Sequence, residues 1–378
     1  MGRMDKQKIA KETLEITRKE FYLKDDEEVK LDLSYEKAEE VLVVSPEMVR
    51  DFVEQQSAIL KQSGGKAGTI RVVNMDSFEA AGACKNSGNK VLVMNFANAH
   101  HPGGGFLNGA SAQEESLCRN STLFTSINSQ KAQVMYQYNN ANPDSFDSDY
   151  MLISPNVDVF RDCNCNVLDD PFTISVLTVP APNKNGLAKG IEQNKLDNVM
   201  KDKIRKILLV SMKYGYETIV LGAWGCGAFG HDAEKIAVCF KEILIEENYM
   251  QCFEKIVFAV YDTSKDLYNF KSFQKTFDSQ RKKEKVQAEM YFVRYPFPAV
   301  SIGDFEYEND HNYKVGRDLG YRYGVLNDGR PFIAELVYRK EYDQKMIVMV
   351  MSAVGFKFYD DEPQAIDEKT QRKRITSP

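Results

Sequence analysis

Two stretches in which an apolar run ends in glycine constrain this chain most. Residues 91–117 read VLVMNFANAHHPGGGFLNGASAQEESL, and residues 218–230 read TIVLGAWGCGAFG. Glycine lets a backbone approach a ligand closely, with its N–H groups turned toward anionic oxygens. Each loop runs into a helical pattern, from Ala112 in the first case and near Asp232 in the second. A strand feeding a glycine turn that opens a helix is how α/β folds hold a pyrophosphate. One triple glycine would also fit a structural turn. Two such loops after two strands point to a clasp around one diphosphate.

The surrounding pattern agrees. Strand-like runs at Thr69–Val73, Val91–Ala97, 173–179, 218–222 and 255–260 are rich in Val, Ile and Leu without strict alternation. Strands covered on both faces read this way. Residues 5–23 and 46–60 have helical character, with Pro46 suited to a first turn. Leu196, Met200, Ile204, Ile207 and Leu208 recur at helical spacing, as do Ile236, Phe240, Ile243 and Leu244. Strands alternating with helices imply a three-layer α/β sheet with ligands at strand C-terminal ends. This part spans residues 1–280. After a charged run at 279–286, residues 288–360 are dense in aromatics, with a turn signal at Asn327-Asp328-Gly329. Phe332, Ala334, Leu336 and Tyr338 alternate there and face Met346, Val348 and Val350 as pairing partners, giving a small β-rich domain. The polar residues 361–378 are expected to lack structure.

Composition narrows the function classes. The 378 residues are 43% apolar and 28% charged, as in a folded chain. No run of roughly eighteen apolar residues appears, so no membrane span is expected. The charged N-terminus lacks a secretory core, and Lys6 stands where a myristoylation signal has Ser or Thr. Seven irregularly spaced cysteines suit a reducing cytoplasm. The net charge of −6 argues against general nucleic-acid binding, so a polyanion would be met by a local site. Cys163-x-Cys165, even with His100 and His101 as companions, is too tightly spaced for a usual zinc pair, and no metal is expected. Cys118 and Cys226 lie near the presumed site without the Cys–His–Asn order of a thiol nucleophile.

Gln113, Glu114 and Glu115 begin seven residues after the triple glycine. Adjacent acids supply what glycosidic or ester cleavage requires and a mere phosphate holder does not. Ser111-x-x-Glu114 also fits a capping box, which accounts for Glu114 but leaves Glu115 unexplained. A helix N-terminus favours the charged carboxylate. A general acid needs the reverse, so burial, the neighbouring acid and a bound diphosphate must raise its pKa. In the second loop, Trp224 and Phe229 either stack on a base or ribose or pack as ordinary core.

Triple glycine, seven residues, then QEE resembles the signature of poly(ADP-ribose) glycohydrolases of the bacterial, macrodomain-only type. NFAN at 95–98, SPNVDVFRD at 154–162, VPAPN at 179–183, LGAWGCGAF at 221–229 and VFAVYD at 257–262 follow in the family's order, over roughly residues 5–275. The resemblance implies a macrodomain, a mixed sheet between helices, with the β-rich C-terminal domain as an addition of unassigned role. It implies hydrolysis of ribose–ribose O-glycosidic bonds, mainly from chain ends, with ADP-ribose as product and no cofactor or metal. Glu115 matches the catalytic glutamate and Glu114 the acid bonded to the ribose on the leaving side. Gln113 supports the loop, Asn98 holds the distal ribose, and Gly103, Gly104 and Gly105 lie against the cleaved ribose. Gly225, Cys226, Gly227, Ala228 and Phe229 match the diphosphate loop, with Phe229 ordering the distal ribose and adenosine. A hydrolase taking mono-ADP-ribose from protein or nucleic acid, and a macrodomain that only binds ADP-ribose, are the alternative readings. The partner is poly(ADP-ribose) or an ADP-ribosylated protein in either hydrolase case.

Overall fold

The computed structural model describes residues 2–66, 68–84, 90–142, 146–186 and 192–278, and beyond them only 290–293, 317–325, 331–339, 344–352 and 372–375. The chain divides into two compact units, Met1–Arg281 and Lys282–Pro378. The first unit opens with α1 (Arg3–Lys19), which ends where Glu20 turns left-handed at φ 65°. The chain then reverses as a hairpin, β1 (Phe21–Lys24) and β2 (Glu27–Lys30), through Asp25 and Asp26 at φ 50° and 66°. Two successive positive φ values suit a tight hairpin, so the helix expected over 5–23 stops short. After α2 (Tyr35–Ala38) and β3 (Leu42–Val44), the helix expected over 46–60 is two, α3 (Pro46–Glu54) and α4 (Gln56–Ser63). Gln55, at φ −88° and ψ 5°, breaks the helical run between them.

Next come β4 (Thr69–Val73), α5 (Ser77–Gly82), β5 (Val91–Ala97), α6 (Gln113–Asn120), α7 (Leu123–Ile127) and α8 (Gln133–Ala141). The hairpin β6 (Met151–Arg161) and β7 (Val167–Pro180) follows, then α9 (Gln193–Lys213) and β8 (Thr218–Leu221). The unit closes with α10 (Ala233–Lys241), β9 (Lys255–Ala259) and α11 (Tyr268–Asp278). Seven strands form one sheet in the order β3-β6-β7-β5-β8-β9-β4. From β7 through β4 neighbours run parallel, while β6 lies antiparallel to both β7 and β3. The sheet is mixed. Strand β6 has no counterpart in the strand-like runs of the sequence, because Pro155 interrupts its apolar pattern. The pairing register shifts there, between Ser154 and Val157, which is where a strand tolerates proline.

Alternate residues of the central strands enter opposite cores. Leu92 and Met94 join Leu177, Ile219 and Phe258 under α3, α4, α9, α10 and α11. Val91 and Val93 join Val176, Val220 and Val257 against α1, α5, α6 and α7. Helix, sheet and helix therefore make the three layers, and both sheet faces are dry, as the near-continuous apolar runs imply.

In the second unit, β11 (Arg317–Val325), β12 (Pro331–Arg339) and β13 (Gln344–Ser352) form an antiparallel sheet in which Ala334 lies opposite Val350 as expected. Phe332 pairs with Ser352, and a register shift after Glu335 sets Leu336 opposite Ile347 and Tyr338 opposite Lys345. β10 (Met290–Val293) pairs antiparallel with β14 (Arg372–Ile375). The charged run at 279–286 and the turn at 327–329 lie outside the described residues.

Candidate active site

Five parallel strands deliver their C-terminal ends to one crevice. A cavity of about 330 Å³ there takes walls from each: Asp76 and Ser77 after β4, Phe96 from β5, Ala181 after β7, Gly225 after β8 and Tyr261 after β9. Gln113 and Ser116 of α6 close one side, and Gly227, Ala228 and Phe229 close another. Ligands of open α/β sheets bind in this place. β5 and β8 are direct neighbours, with Val93 opposite Val220. Paired strands lie roughly 4.8 Å apart, so their two glycine loops emerge side by side.

The acids stand at the first turn of α6, set back from that wall. Gln113 fixes the helix to the strand: its Oε1 accepts from the Phe96 N–H at 2.9 Å, and its Nε2 donates to the Met94 carbonyl at 2.8 Å and the Ser77 hydroxyl at 3.1 Å. Glu114, 3% exposed, accepts from the Asn98 N–H at 2.8 Å and from the Asn95 amide at 3.4 Å. Glu115, 8% exposed, accepts from the Gly105 N–H at 2.9 Å through Oε1, and its Oε2 is buried with no protein partner. Burial pushes the Glu114 carboxyl up to about 8, and the charge of Glu115 adds to this against the Asn98, Asn95 and Gly103 donors. Desolvation outweighs the helix N-terminus at Glu114. Glu114 therefore keeps its proton at neutral pH.

The expected capping box does not form. Ala112 occupies the N-cap position without a side-chain bond, the Ser111 hydroxyl accepts from the Lys6 ammonium, and Glu114 turns inward. A capping Glu114 would face solvent near Ser111, whereas the buried Asn95–Asn98 strand end offers it two donors. Asn98 in turn organises the glycine loop, its Oδ1 accepting from the N–H groups of His100 at 2.8 Å and His101 at 2.9 Å. Gly103 and Gly104 have φ of 68° and 54°. A Cβ on Gly104 would stand 2.6 Å from Glu115 Oε1 and 3.2 Å from Glu114 Oε2. The loop needs glycine because the carboxylates occupy the side-chain space. α1 clamps its far end: Arg3 Nε donates to the Asn108 carbonyl at 2.9 Å, and Thr13 donates to the Arg119 carbonyl of α6 at 2.7 Å.

The second loop is braced from behind. Asn185 Nδ2 donates to the Ala228 carbonyl at 2.8 Å, and His231 Nε2 donates to the Pro182 carbonyl at 2.7 Å. Burial, with the charge of Lys184 adding, holds the His231 imidazole below its usual range and so neutral. Gly225, at φ 79°, makes room for the His231 ring, 2.7 Å from where a Cβ would lie. Trp224 is fully buried and donates to the Val179 carbonyl, so it is core rather than a base platform. Cys226 turns its thiol toward the Trp224 carbonyl, and burial pushes that thiol far up, as it does Cys118. Neither is primed as a nucleophile.

The structure thus gathers Asn98, Gly103, Gly104, Gly105, Glu114 and Glu115 into one cluster. Gly225, Gly227, Ala228 and Phe229 border the cavity, and Gln113 joins the two groups. Asp76, Tyr261, Asn185 and His231 were not singled out from sequence. Only Asp76 carried a legible sign, an acid directly after a strand and before an apolar helix; it caps α5 through the Phe78 and Glu79 N–H groups.

Residues 10–162 match the family model described as the microbial-type PARG catalytic domain. The poly(ADP-ribose) glycohydrolase of Thermomonospora curvata, solved with the inhibitor ADP-HPD, is 30% identical with a TM-score of 0.66. The match covers 73% of this chain and 100% of that one. The chain belongs to the bacterial poly(ADP-ribose) glycohydrolase family. The Deinococcus radiodurans glycohydrolase in complex with ADP-ribose is also 30% identical, with a TM-score of 0.61 over 67% of this chain and 99% of that one. Comparison with curated proteins returned no significant match. Family membership agrees with the mixed seven-stranded sheet and with the crevice at its strand ends.

Proposed function

We propose that this glycohydrolase cleaves the ribose–ribose O-glycosidic bond of poly(ADP-ribose) from chain ends, releasing ADP-ribose, with Glu115 as the acid and base. The observation that carries this reading is Glu115 Oε2, a buried carboxyl oxygen without a protein partner. Such an atom costs about 1–3 kcal/mol unless a ligand meets it. Oε1 is held by Gly105, so Oε2 is the atom left to work on substrate. Glu115 protonates the departing ribose oxygen as the anomeric carbon gains oxocarbenium character, then takes a proton from the attacking water. Glu114, proton-bearing at neutral pH, donates to the ribose on the leaving side. Asn98 holds the distal ribose, Gly103 to Gly105 lie against the cleaved one, and Gln113 keeps the helix in place. Gly225 to Phe229 receive the diphosphate, whose charge stabilises the nearby cation. A cavity of about 330 Å³ suits one terminal nucleotide rather than a chain interior.

All seven cysteines are free, which supports a reducing, cytoplasmic setting. No helix among the described residues is long and apolar enough to cross a membrane. The test offers labelled polymer and mono-ADP-ribosylated protein side by side to the purified chain. Free ADP-ribose accumulating faster from polymer supports the reading. Faster release from the mono-modified protein overturns the substrate assignment, and no release from either overturns the activity.

A further inference from the structure

The motif that the catalytic reading leaves unused, Cys163-x-Cys165, sits at the tip of the β6–β7 hairpin. Cys165 N–H donates to the Asp162 carbonyl at 2.9 Å, and Asp162 N–H donates to the Asn166 carbonyl at 2.9 Å. Cys163 and Asn164 are thus the centre of a tight turn, and Cys165 follows it at φ 67°. Three-residue hairpin loops favour Gly or Asn at this left-handed position, where a Cβ is unfavourable. A cysteine in that place is unexplained by the turn itself. The loop is also stiffly held. The Asp162 carboxylate accepts from the N–H groups of Asn164 at 2.9 Å and Asn166 at 2.8 Å, and Arg161 Nη1 donates to the Cys165 carbonyl at 2.8 Å. Arg161 is itself anchored by an ion pair with Glu12 of α1.

We propose that Cys163 and Cys165 form a redox-modification site, a dithiol that a small-molecule disulfide such as glutathione disulfide converts to a single disulfide within the turn. Two residues flanking one other in a tight turn bring their Cα atoms into the roughly 4.4–6.8 Å range a disulfide requires. Cys163 is exposed and Cys165 half-exposed, whereas Cys84, Cys118, Cys239 and Cys252 are buried. One thiolate attacks the small disulfide and expels one thiolate of it, leaving a mixed disulfide. The second cysteine attacks that bond and expels the other, and the two cysteine protons pass to the two departing thiolates. Two thiols are oxidised and one disulfide is reduced. Partial burial and the carboxylates of Asp76, Asp162 and Glu79 push the Cys163 thiol up, so exchange is slow at neutral pH and quickens as pH rises. A small, exposed disulfide ring has an oxidising potential, so the pair stays reduced until the thiol pool shifts.

The test equilibrates the purified full chain in glutathione buffers of graded ratio at about pH 8, then quenches, alkylates and maps free thiols by mass spectrometry. The expected result is a chain lighter by two hydrogens, with residues 163 and 165 protected from alkylation together and freed by dithiothreitol. Cys163→Ser and Cys165→Ser should each instead carry one stable glutathione on the remaining cysteine. Alkylation of both cysteines at the most oxidising ratio overturns the proposal, and so does a wild-type chain that accumulates glutathione adducts without closing the ring.

Discussion

The two glycine loops leave neighbouring parallel strands, yet Gly104 of the first and Gly227 of the second have opposite surroundings. At Gly104 the missing side chain makes room for the protein's own acids. At Gly227 a Cβ would meet nothing within 4 Å, and the residue borders the cavity. The first loop is closed by Glu114 and Glu115, which the proposed mechanism has in place before substrate arrives. The second stays open toward the cavity and takes its rigidity from Asn185 and His231 behind it. Preorganised acids and an accommodating cradle are separate tasks, and each has its own loop.

The strongest way to break that comparison is to add one methyl group to each loop. Gly104→Ala places a Cβ at φ 54° against two carboxylates. Turnover should fall at least about 100-fold, the usual consequence of displacing a catalytic group by about 1 Å. Gly227→Ala should leave the unfolding temperature within about 2 °C of wild type and weaken ADP-ribose binding about tenfold, or 1.4 kcal/mol. Thermal unfolding and calorimetric titration of both variants check this. Equal losses of turnover in the two would erase the distinction.

A second test concerns the proton on Glu114. The folded chain holds the Glu114 proton up to about 8 against an ordinary 4.5. The stabilisation it contributes is therefore complete below about 4.5 and is lost as pH rises through about 8. Between those limits the wild type should lose on the order of a few kcal/mol of stability, and Glu114→Gln should lose much less. Urea midpoints at about pH 5 and about pH 8 measure the difference. Equal slopes in both proteins would mean that Glu114 is not the group that holds the proton.

The smallest effect sharpens the second half of the comparison. His231→Ala removes the donor to Pro182 and should raise the ADP-ribose Kd and the polymer KM about tenfold, with kcat within about twofold. His231→Gln, whose amide can still donate to Pro182, should restore most of the affinity. A loss confined to kcat would contradict a bracing role.

Much of this was legible in the residues, and the exceptions have physical causes. Buried parallel strands declare themselves as apolar runs, and glycine with acids at fixed spacing marked the first loop. What escaped was non-local. Pro155 concealed β6, and the left-handed Glu20 cut α1 short of Phe21. Glu114 satisfied the spacing of a capping box, a local pattern, but the donors that claim it lie on the Asn95–Asn98 strand end. His231 and Asn185 acquire meaning only when the loop after β7 folds against the loop after β8.

Substituting Glu115 by Gln keeps the side-chain size and one oxygen that the Gly105 N–H can bond, and removes the carboxyl group that gives and takes the proton. Polymer turnover should fall by about 10²–10⁴-fold, the range for a lost general acid–base, while ADP-ribose Kd stays within about threefold of wild type. Wild-type turnover in Glu115→Gln would contradict the assignment of the chemistry to this carboxyl group.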